Sequence, residues 1–335
     1  MYNENRKTMD KNIIISIKTI LLTFLIAIGI YIVYRLGPII GLFLFALLLV
    51  FAIEPLVKKL MQQTIVNRKV PRSLAVIVSY VLLISVIALV VTIWLPPFLN
   101  EAQKLIKNLP KILGSVDLGD NFNLASVLPQ ASAVSGGILT ATFSIFSNLT
   151  SIFSVFIMAL YLSMDWPNLK RRFVSLFPTK AEDAVLETID DIEINLGHWL
   201  KGESILMLVV GLGCFVGLVL LDVDYPLALG LISGLLEIVP MVGPIISAVF
   251  AAIIALASNP IKAVGVVVLY IIVQQLENNV LVPKVMQKVS GFSPLVILTA
   301  LLVGGEFFGV AGAVMAVPAT MTLGIIIKKI FRFVR

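Results

Sequence analysis

The chain has 335 residues, of which 59% are hydrophobic and 13% charged. Soluble domains carry about 25% charge, so an ordinary soluble enzyme is excluded, and one cysteine (Cys214) with one histidine (His198) excludes disulfide frameworks and Cys/His metal sites. The net charge of +6 is read as the cytoplasmic Lys/Arg excess of a membrane protein, not as a nucleic-acid surface.

The apolar residues fall in long runs, and about 20 of them span the ~30 Å hydrocarbon core as a helix. The expected class is an all-α polytopic integral membrane protein with about eight membrane segments. In chain order, clear spans are predicted over 17–34, 39–53, 74–95, 138–164, 204–221 and 263–282. The basic start (Arg6, Lys7, Lys11) precedes an apolar run too long for a signal-peptide core, so the first helix is expected to be retained. An N-terminal set of membrane helices is thus expected over 1–164, with an exterior loop over 96–137. An amphipathic stretch in that loop (Phe98, Leu105, Ile106, Leu109, Ile112) is expected to lie on the membrane surface.

Residues 165–203 are predicted to form a cytoplasmic amphipathic helix. Thr179 and Glu182 have capping-box spacing. Ala181, Val185, Ile189, Ile192, Leu196 and Trp199 make an apolar stripe, opposite Asp183, Glu187, Asp190 and Asp191. His198 reads as an ordinary polar residue, and Glu54-Pro55 and Gly202-Glu203 as helix boundaries. Asp222 and Asp224 read as a solvated turn.

The expected transport core is 204–335, with two broken regions at 226–257 and 294–327. Pro240, Gly243 and Pro244 interrupt the first, and Gly304, Gly305, Gly309 and Gly312 the second. The arms on either side of the first break reach only about 20 Å each, so hairpins or broken spans are both open. Backbone breaks at membrane depth persist only where protein or water satisfies the freed groups. Glu237-Ile-Val-Pro240-Met-Val-Gly243 aligns with Glu306-Phe-Phe-Gly309-Val-Ala-Gly312, which permits an inverted repeat of helix-plus-hairpin units around a central site. Counted with hairpins, 20 Lys/Arg fall inside and 5 outside, so both termini are expected in the cytoplasm.

Three carboxylates, Glu237, Glu277 and Glu306, fall within apolar segments, where charge costs about 2.5–3.5 kcal/mol or more. Glu277 belongs to the run Gln274-Gln275-Leu276-Glu277-Asn278-Asn279, in which Gln274, Glu277 and Asn278 share one helical face. Such a face can coordinate a solute or ion, or can mark a helix end at the interface. Glu237 and Glu306 can carry a proton or cation, or can cap loosened backbone.

The segments Tyr225-Pro226-Leu-Ala-Leu-Gly230, Gly234-Leu-Leu-Glu237-Ile-Val-Pro240-Met-Val-Gly243-Pro244 and Glu277-Asn278-Asn279-Val-Leu-Val-Pro283-Lys284 resemble the autoinducer-2 exporter family. Ser293-Pro294-Leu, Gly304-Gly305-Glu306-Phe-Phe-Gly309-Val-Ala-Gly312 and Val317-Pro318 extend the resemblance, as do Gly202-Glu203 at the opening of the span over 204–221 and the basic loop after Asp165 that ends at Pro178. It implies a secondary exporter of a small hydrophilic solute, such as autoinducer-2, in the bacterial cytoplasmic membrane. Some members are similar to Na+(Li+)/H+ antiporters.

The expected function is therefore export coupled to a proton or ion gradient, with substrate and ion contacts at Glu237, Gln274, Gln275, Glu277, Asn278, Asn279 and Glu306. Hinges are expected at the six glycines and prolines flanking the breaks and at Gly305. Two other readings are kept: a Na+(Li+)/H+ antiporter, and a non-transporting membrane scaffold. No enzyme activity, cofactor, metal or nucleic-acid partner is expected; the partners are the bilayer, the solute, and protons with Na+ or Li+. Small residues such as Gly211, Gly213 and Gly217 permit self-association into a homo-oligomer.

Overall fold

A computed structural model describes residues 2–65, 68–115, 149–285 and 293–333. Two units are distinguished, Met1–Phe45 and Ala46–Arg335. Helix α1 covers Tyr2–Met61, and a minimal antiparallel pair, β1 (Thr64–Ile65) and β2 (Arg68–Lys69), follows it. Then come α2 (Arg72–Ser115), α3 (Leu149–Val174), α4 (Thr179–Leu220), α5 (Pro226–Leu236), α6 (Val242–Ser258) and α7 (Pro260–Leu276). A π-helical turn over Glu277–Leu281, α8 (Val282–Val285) and α9 (Pro294–Phe333) complete the described chain. Six helical stretches among the described residues are long and apolar enough to cross a membrane, and α5 and α6 are shorter apolar helices. The polytopic helical class is as expected.

Several local expectations differ from what is observed. The turn expected between spans 17–34 and 39–53 is absent, because α1 runs through Arg35–Pro38 as helix. Gly37-Pro38 reads locally as a turn, but an apolar helix tolerates a proline whose freed carbonyl finds other partners. The part of the exterior loop described here is also not a separate surface helix. Helix α2 continues through Pro96-Pro97, and Phe98 and Leu105 are buried in the core formed with α4–α7. Residues 116–148 lie outside the described residues, as does the start of the span expected over 138–164. The capping box does not form either: Pro178 is the N-cap of α4, without a side-chain cap.

The α2 extension has a job at the N-terminus of α5. Tyr225 holds φ 60°, and no side chain of its own caps the helix. Glu101 supplies the missing acceptor from α2, taking a hydrogen bond from the Ala228 N–H at 2.9 Å, while Asn108 donates to the Tyr225 hydroxyl at 2.8 Å. A carboxylate at a helix N-terminus meets both orphan N–H groups and the positive end of the dipole.

Both broken regions reverse direction. In the first, α5 and α6 pack together across residues 237–241, and Met241 takes φ 68°. A Cβ on Gly243 would collide with the Leu236 carbonyl. In the second, Gly309 adopts φ 60°, ψ −147° within α9, a region accessible essentially to glycine alone. Gly304 and Gly312 there approach so closely that a Cβ on either would strike the other's carbonyl. In a continuous helix residues eight apart are separated by about 12 Å, so the two arms of α9 fold back on each other. The aligned glycines Gly243 and Gly312 thus have the same task, three residues after the breaker in each region.

This close approach gives a direct test. Gly312→Ala is expected to destabilise the protein by about 1–3 kcal/mol, the usual range for forcing an atom into filled space. Gly305→Ala is its control, because a Cβ there meets nothing within 4 Å and alanine favours helix. Thermal unfolding in detergent should separate the two; equal behaviour would mean that the arms are not in contact.

Candidate functional site

The candidate site lies where α4, α5 and α7 meet, and glycines set how closely they approach. A Cβ on Gly211 would lie 3.2 Å from the Gly230 carbonyl oxygen and 3.2 Å from Gly234 Cα, and one on Gly234 would lie 2.6 Å from the Met207 carbonyl. Gly213 faces Val273, and Gly217 faces Leu269. As numbers fall along α4 they rise along both α5 and α7, so α4 is antiparallel to each. One turn below Met207 and Gly234, this register brings Glu203 level with Glu237.

Three carboxylates converge there. Glu203, Glu237 and Glu277 are 2%, 2% and 6% exposed. The Glu237 and Glu277 carboxyls lie side by side, and Glu203 is close enough to interact through space with Glu237 and to feel the charge of Glu277. Gln274 Nε2 donates to Glu277 Oε2 at 3.0 Å. Glu237 Oε2 is fully buried and has no hydrogen-bond partner. On the α5 side, Ser233 donates to the Leu229 carbonyl at 2.8 Å, so the Tyr270 hydroxyl, 2.7 Å away, donates to Ser233. The Cys214 thiol sits against this hydroxyl pair.

Glu277 opens the π-helical turn. Such turns carry one extra residue per turn and recur at functional sites. The extra residue explains a departure from the expected shared face: Gln274 and Glu277 remain together, whereas Asn278 is exposed. Gln275 and Asn279 are exposed too, joined by an Asn279 Nδ2 to Gln275 Oε1 hydrogen bond of 2.8 Å. Glu306 is exposed beside the Gly309 reversal and is not gathered with the buried pair. The aligned repeat therefore matches in its glycines but not in its carboxylates.

Two further buried carboxylates hold the other half of the protein. Glu54 pairs with Arg72 through two parallel hydrogen bonds of 2.8 and 2.7 Å, and Arg72 also donates to the Ser163 carbonyl at 2.9 and 2.7 Å. Glu193 accepts from Lys58 at 2.5 Å and from Trp166 Nε1 at 2.9 Å. Lys329 of α9 pairs with Glu187 at 2.6 Å and Asp191 at 2.9 Å. The acidic face of the amphipathic part of α4 is thus partly occupied by the protein's own lysines. Asp222 sits 2.8 Å from Lys262, whose hydrogen bond and charge lower that carboxyl's pKa from its ordinary value.

Against this geometry, the profile of the AI-2E family of transporters matches residues 20–332. The chain belongs to the AI-2E transporter family. The match covers both reversals and all three buried carboxylates of the candidate site. Among its AI-2E relatives, YueF of Bacillus subtilis is 27% identical over 319 residues, covering 87% of this chain and 84% of its own. YrrI of the same organism is 28% identical over 288 residues, covering 79% and 80%. Both names specify transport but no solute. The AI-2 transport protein TqsA of Escherichia coli is 25% identical over 302 residues, covering 86% and 85%. Membership and the apolar helices together make this chain a multi-pass membrane transporter.

The resemblance takes in Gly202-Glu203, but the sequence alone places Glu237 and Glu277 in the site and leaves Glu203 as a helix boundary. A glutamate after Gly202 at the end of an amphipathic segment looks like a helix boundary. Only the unbroken course of α4 from Thr179 to Leu220 places it inside the bundle.

Proposed function

We propose that this AI-2E transporter is a secondary exporter of a small hydrophilic solute such as autoinducer-2, driven by a proton or ion gradient across the bacterial cytoplasmic membrane. The observation that carries the reading is the Glu237–Glu277 pair: two adjacent buried carboxyls, one oxygen of which receives no hydrogen bond from an amide, hydroxyl or basic side chain. A pair of this kind can hold one proton in place of a second charge and release it when a cation or solute takes its place. The two reversals act as re-entrant hairpins on either side of the pair and hinge at Pro240, Gly243, Pro244, Gly304, Gly305, Gly309 and Gly312. The Lys58–Arg72 segment, residues 165–203 and the end of α9 face the cytoplasm, as their Lys/Arg excess favours. The likeness to TqsA motivates autoinducer-2 as the solute to test first.

The second reading is Na+(Li+)/H+ antiport, favoured by the third carboxylate, Glu203, in the same cluster. The exposed amides separate the two. A polyol-like solute needs hydrogen-bonding amides, whereas a cation needs carboxylates and carbonyls. Joint replacement of Gln275, Asn278 and Asn279 by Ala should lower autoinducer-2 flux from proteoliposomes about tenfold, the worth of one or two hydrogen bonds. Na+-driven proton movement should be spared. Gln274 is left in place because it donates to Glu277. Loss of cation exchange with solute flux intact would reverse the preference. A scaffold role predicts neither flux, and Lys329, Lys58 and Lys170 already engage part of the surface it would use.

A further inference from the structure

We infer that Glu203 is a relay residue, the buried station through which protons pass between the cytoplasmic side and the Glu237–Glu277 pair. The inference rests on the proton-coupled reading above and adds a residue and a route to it. Its first support is placement. Glu203 stands at the junction between the amphipathic part of α4 and the part that crosses the bundle. Neighbouring Lys201 and Ser204 are exposed while Gly202 and Glu203 are buried. The second is register, since the glycine contacts of α4 with α5 and α7 bring Glu203 to the level of Glu237. The third is the buried Glu237 Oε2, to which no amide, hydroxyl or basic side chain donates.

Among the described residues, the titratable groups that face Glu203 are Glu277 and Glu237, and Cys214 faces those two from farther along α4. No lysine or arginine among the described residues enters the cluster to fix the charge of Glu203, as Arg72 does for Glu54 and Lys58 for Glu193. Buried carboxylates without a fixed counter-charge are the groups from which proton relays are built. The step is a plain proton transfer. The O–H bond of a protonated Glu203 breaks as an O–H bond forms on a carboxylate oxygen of the pair, and Glu203 regains its proton from cytoplasmic water.

Two measurements on the full-length protein in proteoliposomes test this. In an infrared pH titration of the carboxylic C=O bands, Glu203→Gln should remove about one third of the intensity that belongs to the three-carboxyl cluster and should move the titration of the remainder, because interacting sites titrate together. With a Na+ or Li+ gradient imposed, or autoinducer-2 loaded, Glu203→Gln should slow proton movement about tenfold or more, and Glu203→Asp should restore most of it. Glu203→Asp also guards against loss of folding, since it keeps the carboxyl. An unchanged titration of the other carboxyls, or proton movement at the wild-type rate, would overturn the relay. Absence of proton movement in the wild-type protein would instead bring down the coupled-transport reading itself. An infrared shift that survived without any flux would show three coupled carboxyls that carry no current, and that too would overturn the relay.

Discussion

Glu277→Gln is expected to reduce coupled proton movement by about 100-fold or more, in line with the contribution of a positioned proton-transfer group. Glutamine keeps the shape of the side chain and can still meet Gln274, so the π-helical turn should survive while the exchangeable proton is lost. Glu237→Gln should have a similar effect. Because the two carboxyls lie side by side and can share a proton, the double variant should be little worse than either single one, as for residues that act as a unit. Glu306→Gln, at an exposed position beside the Gly309 reversal, should retain most of the flux. The measurement is lumenal pH in proteoliposomes under a Na+, Li+ or autoinducer-2 gradient, with insertion checked by protease protection. Full-rate proton movement in Glu277→Gln would place the proton carrier elsewhere.

Arg72→Ala should destabilise the protein by about 3–5 kcal/mol, the range seen when one partner of a buried ion pair is removed. The reason is the carboxylate left behind. Glu54 is 2% exposed, and both its oxygens are held by Arg72. Losing the guanidinium also removes two hydrogen bonds to the Ser163 carbonyl, which tie the start of α2 to α3. A double variant, Glu54→Leu with Arg72→Met, should recover most of the loss, since apolar replacement of a whole buried pair is often neutral. Thermal unfolding in detergent reads both. A single variant as stable as wild type would mean that water reaches Glu54.

The sequence made the membrane class legible, along with the place of both chain breaks, though not that the chain turns back there, and two of the three central carboxylates. Each is a local signal: apolar runs of spanning length, Pro and Gly within them, and charge where charge is costly. What it concealed depends on partners far away in the chain. Glu54 and Arg72 are 18 residues apart, and Glu101 meets Ala228 across 127. Glutamates near helix ends look like boundaries until their partners are seen. The stripe of Phe98 and Leu105 announced that something would cover it, but a stripe cannot distinguish a lipid surface from α5–α7. Asn278 misled for another reason: helical spacing assumes 3.6 residues per turn, and the π turn breaks that count where Glu277 sits. The gap between the spans predicted over 17–34 and 39–53 is the opposite case, an expected break overridden by helix.

Helix α4 has one further consequence. It is an unbroken rod of 42 residues, about 63 Å long, with Glu203 a little past its midpoint. One end is gripped outside the bundle by Lys329, Lys58, Lys170 and Trp166, and the other is packed between the arms of the site. A rod held in this way is a lever whose fulcrum is the carboxylate cluster. A tilt of about 5° about Glu203 would displace the gripped residues, Glu187 to Glu193, by roughly 1–2 Å. Any load on the gripped end is therefore felt as torque at the carboxylate cluster.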